Sequence, residues 1–400
     1  MALPVQHNPD AAADGDAEKL PAPRLRLVEH IGFKTPPSER EVLTLAVLSG
    51  AVLWITAFLL HRSPGEMLNY GDNGPYLNVA EAIRRWDFHS LGIQHFMGYP
   101  YVIAALSLIF RVPPIFALWL IAVISSLVSV LLVARLFGTR VAGYFALTNF
   151  AWLQLSFLGG SEPLAMALAL AAFLSFRRNR VFPAALLGSI SVTVRPLMIF
   201  VLVGIGVALL VQKKFASFFV ALGTGLAIGA LYVLPLALYF GDPLLTIHSY
   251  TTRDYGGGGI AGPHGHLFGW PFHGIVAGTL AYPAPWTNLL LSFFWIGLVL
   301  AGTGRMFFSD FRQYARTHPA EAIFCAMNLL ALFSYDYLLW ARSNFMRFAI
   351  PVLPFVFLAL ARFLPKDRRF LWALSVACAV LAALSAIGIR NVIRIPSLLN

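Results

Sequence analysis

Charge is scarce in this chain: only 12% of its 400 residues are Asp, Glu, Lys or Arg, against 58% hydrophobic. That is about half the charged share of a soluble domain, so a soluble enzyme or a solvated scaffold is excluded. Cysteine is scarcer still. The two present, Cys325 and Cys378, both lie inside apolar segments without metal-ligand spacing, which excludes a disulfide framework or a thiolate metal centre. Long basic runs are also missing. The formal charge of +11 is scattered as short clusters between apolar runs, the pattern of membrane loops that carry Lys and Arg on the cytoplasmic side rather than of a nucleic-acid surface. Short alternating segments, the mark of a strand barrel, are absent. Gly256–Gly259 are not followed by Lys-Ser/Thr, so they form no phosphate loop. No repeat of fixed period is visible, which argues against an inverted-repeat transporter.

What remains is an all-α, polytopic membrane protein. Met1 to Arg40, rich in Pro, Ala and charge, has no apolar core of a signal peptide and reads as a disordered cytoplasmic tail. Residues 41–400 read as one transmembrane domain. Apolar runs at Val42–Leu60, Ile115–Leu136, Val141–Leu158, Leu164–Phe176, Val181–Val194, Leu197–Val211, Phe215–Phe240, Trp286–Thr303, Pro319–Leu339, Phe348–Leu364 and Phe370–Ile389 give about eleven spans. Tyr99–Phe110 is too short to cross and is expected to be re-entrant or interfacial. The sequence from Tyr76 to Trp86 reads as a surface helix with Leu77, Ala80 and Ile83 on its apolar side. Basic clusters such as Arg177–Arg178 and Lys213–Lys214 set the amino end inside, and they put the loops 61–98 and 241–285 outside.

This topology collects Asp72, Glu162, Arg195, Asp336, Arg342 and Arg347 on one outer face. Ionisable side chains at the ends of apolar helices are costly and point to function. Each also has a plainer reading: Asp72 in Gly71-Asp-Asn-Gly74 can be a turn residue, Glu162 before Pro163 can open a helix, and Arg195 can reach to the interface from a helix end. Acids and arginines converging at one face suit a lipid-phosphate sugar donor, whose phosphate needs cations while an acceptor hydroxyl needs a carboxylate to take its proton. Tyr76 neighbours Asp72, and His264 and His266 lie in the second outer loop; they lack the spacing of a metal signature and read first as part of a flexible polar loop, with an acceptor contact or a cation shared with Asp254 as the functional alternatives.

The order Gly71–Asp72, then Ser161–Glu162–Pro163, then Thr193–Val194–Arg195–Pro196, then Arg347 leading into Phe348-Ala-Ile-Pro-Val-Leu-Pro354 resembles the C-type integral-membrane glycosyltransferases. These include protein O-mannosyltransferases, aminoarabinose transferases of lipid A and mannosyltransferases of glycolipid anchors. The resemblance implies a polyprenyl-phosphate-sugar donor, a lipid, glycan or protein acceptor, inverting transfer and a site at the outer face of the plasma membrane. It assigns Asp72 as base, Arg195 and Arg347 to the donor phosphate, and Glu162 to the cavity. Arg342, on the same outer face, is placed with the donor phosphate as well, and Tyr76, His264 and His266 with the acceptor cavity. Many members carry two adjacent acids in the first loop, whereas Asn73 follows Asp72 here, so a divalent cation is left open and no metal ligands are assigned. A lipid or solute transporter, with the same charges lining a pathway, is the rival expectation.

Overall fold

A computed structural model describes residues 37–60, 68, 72–87, 95–252, 268–282, 284, 286–365 and 367–386. The expected amino-terminal tail, apart from its last four residues, lies outside them, as do His264 and His266. Among the described residues the fold is all-α, and its single isolated β-bridge joins Phe268 to Tyr335. In chain order the helices are α1 (Glu39–Leu60), α2 (Asn73–Arg84), α3 (Gly98–Phe110), α4 (Pro114–Phe137), α5 (Thr139–Thr148), α6 (Phe150–Phe157), α7 (Glu162–Arg177), α8 (Val181–Val194), α9 (Ile199–Val211) and α10 (Phe215–Phe240). They continue with α11 (Leu245–Thr252), α12 (His273–Ala281), α13 (Trp286–Met306), α14 (Ser309–Thr317), α15 (Pro319–Ser334), α16 (Leu338–Ser343), α17 (Phe345–Phe348), α18 (Leu353–Leu360) and α19 (Arg368–Ala386).

Three described helices are long and apolar enough to cross a membrane: α4, α10 and Asn288–Met306 of α13. Along α10 the side chains of Leu226, Leu231 and Leu238 are exposed. An outward apolar face of this kind suits lipid rather than water. The 13 residues of α3 rise only about 20 Å, short of a hydrocarbon core of about 30 Å. Arg111 in the left-handed region at φ 54° and Pro114 at the head of α4 end α3 sharply.

Several expected spans are broken. Val141–Leu158 becomes α5 and α6, because Asn149 leaves the helical region and its side chain accepts the Trp152 amide at 3.0 Å, capping a new start. Helices α6 and α7 then meet at a bend of 100°. Of Phe348–Leu364, helix remains at Phe348, the end of α17, and in the eight residues of α18, since Pro351 removes a donor from the helical ladder and Pro354 opens α18 from its first turn. Turns fill the gap, as where the Val352 amide bonds the Ala349 carbonyl at 2.9 Å. Pro319–Leu339 stops at Ser334 and continues into the segment that bridges to Phe268. The expected helix forms as α2; its buried face is Tyr76, Val79, Ala80 and Ala82, with Leu77 and Ile83 half-buried, so burial is shifted around the helix from the expected apolar face.

Packing runs through helix pairs: α7 lies between α4 and α8, α10 lies on α8, α9 on α15, α1 on α19, and α13 on α18. At the end of α7 opposite Glu162, Arg177 forks onto Glu321 of α15 with two bonds of 2.6 Å and donates to the Leu136 carbonyl of α4 at 3.2 Å. The Tyr314 hydroxyl bonds the same carboxylate. Glu321 is buried, so this bidentate pair ties four helices through one fully satisfied charge. Removing one partner strands the other. Arg177→Ala should cost roughly 3–5 kcal/mol in a denaturation assay, whereas the double change Arg177→Met with Glu321→Leu, which removes both charges, should recover most of that loss.

Candidate functional site

The site begins with how four chain segments are turned toward one point. Asn73, at the start of α2, donates from Nδ2 to the Leu68 carbonyl at 2.8 Å and the Leu158 carbonyl at 3.0 Å, which fixes the Asp72 turn against the α6–α7 bend. Gly159 makes that approach possible: its φ is +100°, and a Cβ there would sit 2.3 Å from Leu118 and 2.8 Å from Asn73 Nδ2. Arg195 is extended at φ −143°, ψ 122°, the conformation favoured before a proline, so α8 ends there. The short α17 that carries Arg347 is held by Asn149, whose Nδ2 donates to the Met346 carbonyl at 3.1 Å. The residue that breaks the expected span thus anchors the segment bearing Arg347.

These devices bring Asp72, Glu162, Arg195 and Arg347 into one hydrogen-bonded chain. Arg347 Nη2 donates to Asp72 Oδ2 at 2.6 Å, and its Nε donates to Glu162 Oε1. Arg195 Nη1 reaches the same Glu162 oxygen at 2.7 Å and Ser161 Oγ at 3.0 Å. Tyr76 hydroxyl lies 3.2 Å from Ser161 Oγ, and His95 Nε2 lies 3.9 Å from Asp72 Oδ1. The imidazole of His95 also packs on the Tyr76 ring at 5.0 Å. Side-chain exposure grades along the chain, from 5% at Glu162 through 11% at Arg347 to 37% at Asp72. Asp72 is the open end.

Two carboxylates and two guanidinium groups cancel, so the cluster is neutral although most of it is buried. Partial burial works to raise the Asp72 carboxyl, but the Arg347 charge, aided by His95 and Arg195, outweighs it and holds the group well below the usual carboxylate range. Burial and the neighbouring Asp72 charge push the Tyr76 phenol far above its usual value, so it acts as a neutral hydrogen-bonding group. Glu162 Oε2 is buried with no hydrogen-bond partner among the described residues. An acceptor atom left bare next to two guanidinium groups is open to a donor from outside. Each arginine keeps atoms that carry no bond to the described residues: Nη1 of Arg347, and Nε with Nη2 of Arg195.

The expected site residues divide. Asp72, Glu162, Arg195 and Arg347 come together. Tyr76 and Glu162 are buried, at 4% each, instead of lining an open cavity, and Tyr76 supports the cluster from behind through Ser161. Arg342 stands apart, since its hydrogen bond goes to the Tyr282 carbonyl at 3.2 Å. Asp336 pairs instead with His273, Oδ1 to Nδ1 at 2.6 Å. Among the described residues no three His, Cys, Asp or Glu side chains are grouped to hold a metal ion. Both acids already face Arg347, which a cation would have to displace. Ser161 and His95 were not foreseen. Ser161 sits inside the quoted Ser-Glu-Pro motif, whereas a lone histidine in a loop carries no sequence signal.

No family model matches the chain. No curated protein matches it either. Among solved structures, it is similar to ArnT from Cupriavidus metallidurans bound to undecaprenyl phosphate, with a TM-score of 0.47 and 17% identity over 86% of this chain and 64% of that one. The apo state of the same protein aligns with a TM-score of 0.43 and 16% identity, over the same shares. The chain spans less than two thirds of the length of those structures. At these scores the function rests on the residues themselves.

Arg347 neutralises two acids, so its loss should be pH-dependent. A carboxyl held low, like Asp72, adds stability above its unfolded value of 3.8 and loses it as pH falls through its lower folded value. In Arg347→Gln the two acids lose their cation, are pushed upward, and stabilise only when protonated. The melting-temperature gap between the native chain and Arg347→Gln should therefore be widest near pH 8 and narrow on acidification to pH 5.

Proposed function

We propose that this protein transfers a single sugar from a polyprenyl-phosphate carrier to an acceptor hydroxyl, with inversion, at the outer face of a plasma membrane whose inner side holds the amino terminus. The observation that carries the reading is the position of Arg347: its Nη2 and Nε hold Asp72 and Glu162, while its Nη1 is left for a ligand anion. A base and a phosphate-binding cation are thereby joined through one side chain.

In the reaction the acceptor hydroxyl lies against Asp72, the most exposed member of the chain. Its oxygen bonds to the anomeric carbon as the bond from that carbon to the phosphate oxygen breaks, and the hydroxyl proton passes to an Asp72 oxygen. The donor's phosphodiester carries one negative charge and the departing phosphate monoester gains another. The unoccupied edges of Arg195 and Arg347 meet that added charge, so they stabilise the transition state more than the bound donor.

A carboxylate held as low as Asp72 is a weak base by itself. A donor phosphate arriving at Arg347 shares its charge and lifts the carboxylate toward a useful basicity. Arg342, expected at the donor phosphate, is not part of this step. Asp72→Asn should reduce sugar transfer from a short-chain polyprenyl-phosphate donor by roughly 10²–10⁴-fold while the purified variant still binds that donor. Unchanged transfer by the variant removes Asp72 from the reaction.

A further inference from the structure

Arg342 is itself a problem the proposed chemistry does not absorb. Together with Phe150, Asn288, Ser292, Trp295 and Met346 it lines a cleft between α13 and the α16–α17 segment. Arg342 is 5% exposed and Asn288 6%. Arg342 Nη1 and both amide atoms of Asn288 are buried without a hydrogen-bond partner among the described residues. Arg342 has no carboxylate partner there, and its one bond goes to the neutral Tyr282 carbonyl at 3.2 Å. A carbonyl offsets little of the cost of burying a guanidinium, and a carboxamide with neither end satisfied adds to that cost.

Each unpaired atom specifies something of an occupant. Arg342 Nη1 asks for an oxyanion, phosphate or carboxylate. Asn288 offers a donor and an acceptor together, the combination that reads a hydroxyl group, and the apolar faces of Trp295, Phe150 and Met346 suit a ring or carbon skeleton. Arg342 and Arg347 lie on two short helices separated at Asn344, and the cleft's Met346 is the chain neighbour of Arg347, so the pocket borders the charge chain. If the donor phosphate is met by the open edges of Arg195 and Arg347, the second anion must come with the other substrate.

We propose that this cleft recognises an acidic, hydroxyl-bearing headgroup of the acceptor, so that the acceptor of this transferase is anionic. The proposal rests on the transferase reading for the word acceptor, but the binding site can be tested without turnover. Ser292 is half-buried in the cleft, and the two native cysteines are buried, so Ser292→Cys in the full-length protein reports occupancy through its rate of thiol alkylation.

Glycerol phosphate or glucuronate should slow that alkylation at least five-fold at saturation, while glycerol does not. Adding Arg342→Gln should abolish the protection, and adding Asp72→Asn should leave it intact. Loss of transfer and loss of the anion site are then separate results. Without any anion, Arg342→Gln alone should be at least as heat-stable as the native chain, because it removes an uncompensated buried charge. Absence of protection by either acid overturns the proposal. So does protection by polyprenyl monophosphate alone, which would give the cleft to the donor, or an Arg342→Gln chain that fails to fold, which would make the arginine structural.

Discussion

One guanidinium holds the site together. Arg347 takes Asp72 with Nη2 and Glu162 with Nε, and Arg195 closes the chain on the same Glu162 oxygen. Each charge would be costly alone at this depth, and each is tolerable because its neighbour cancels it. That mutual dependence explains why the four residues arrive from four separated segments of chain. It also makes the cluster responsive, because an incoming phosphate competes directly with Asp72 for the cation that holds it low.

Much of the surrounding fold can be understood as support for that geometry. The Asn149 break costs a continuous helix but supplies the side chain that fixes Met346, one residue before Arg347. The 100° bend after α6 turns Glu162 inward at the head of α7, and Gly159 gives the bend its left-handed residue. Arg195 owes its extended backbone to Pro196. At the opposite end of α7 the Arg177–Glu321 fork locks the helix against α15, so α7 is pinned by an ion pair at each end. A helix fixed in this way holds Glu162 at its place in the cluster.

The helical, membrane-type architecture was legible because apolar runs of 18 or more residues have few other uses. The convergence of Asp72, Glu162, Arg195 and Arg347 was legible too, from charged residues that recur at the ends of apolar runs on one side. The breaks at Asn149 and Pro351 were not. An asparagine amid apolar residues looks like a tolerated polar residue until its cap to Trp152 and its bond to Met346 are seen, and a proline can either kink or end a helix. The rotation of α2 escaped because a short amphipathic pattern admits neighbouring faces. Arg342 and Arg347 were both expected at the donor phosphate, but Arg347 faces two acids and Arg342 an acid-free cleft, a difference that only tertiary contacts create.

The central claim is that the Arg195–Glu162–Arg347–Asp72 chain receives the donor phosphate and the acceptor hydroxyl at a single point. An experimental structure of the full chain in a lipid nanodisc, bound to a non-cleavable polyprenyl-phosphonate sugar, tests it most directly. The expected result places phosphonate oxygens on the open edges of Arg195 and Arg347, with Asp72 facing the anomeric carbon from the side opposite the phosphonate. A headgroup bound away from both arginines, or Asp72 on the same side as the leaving phosphonate, would contradict it.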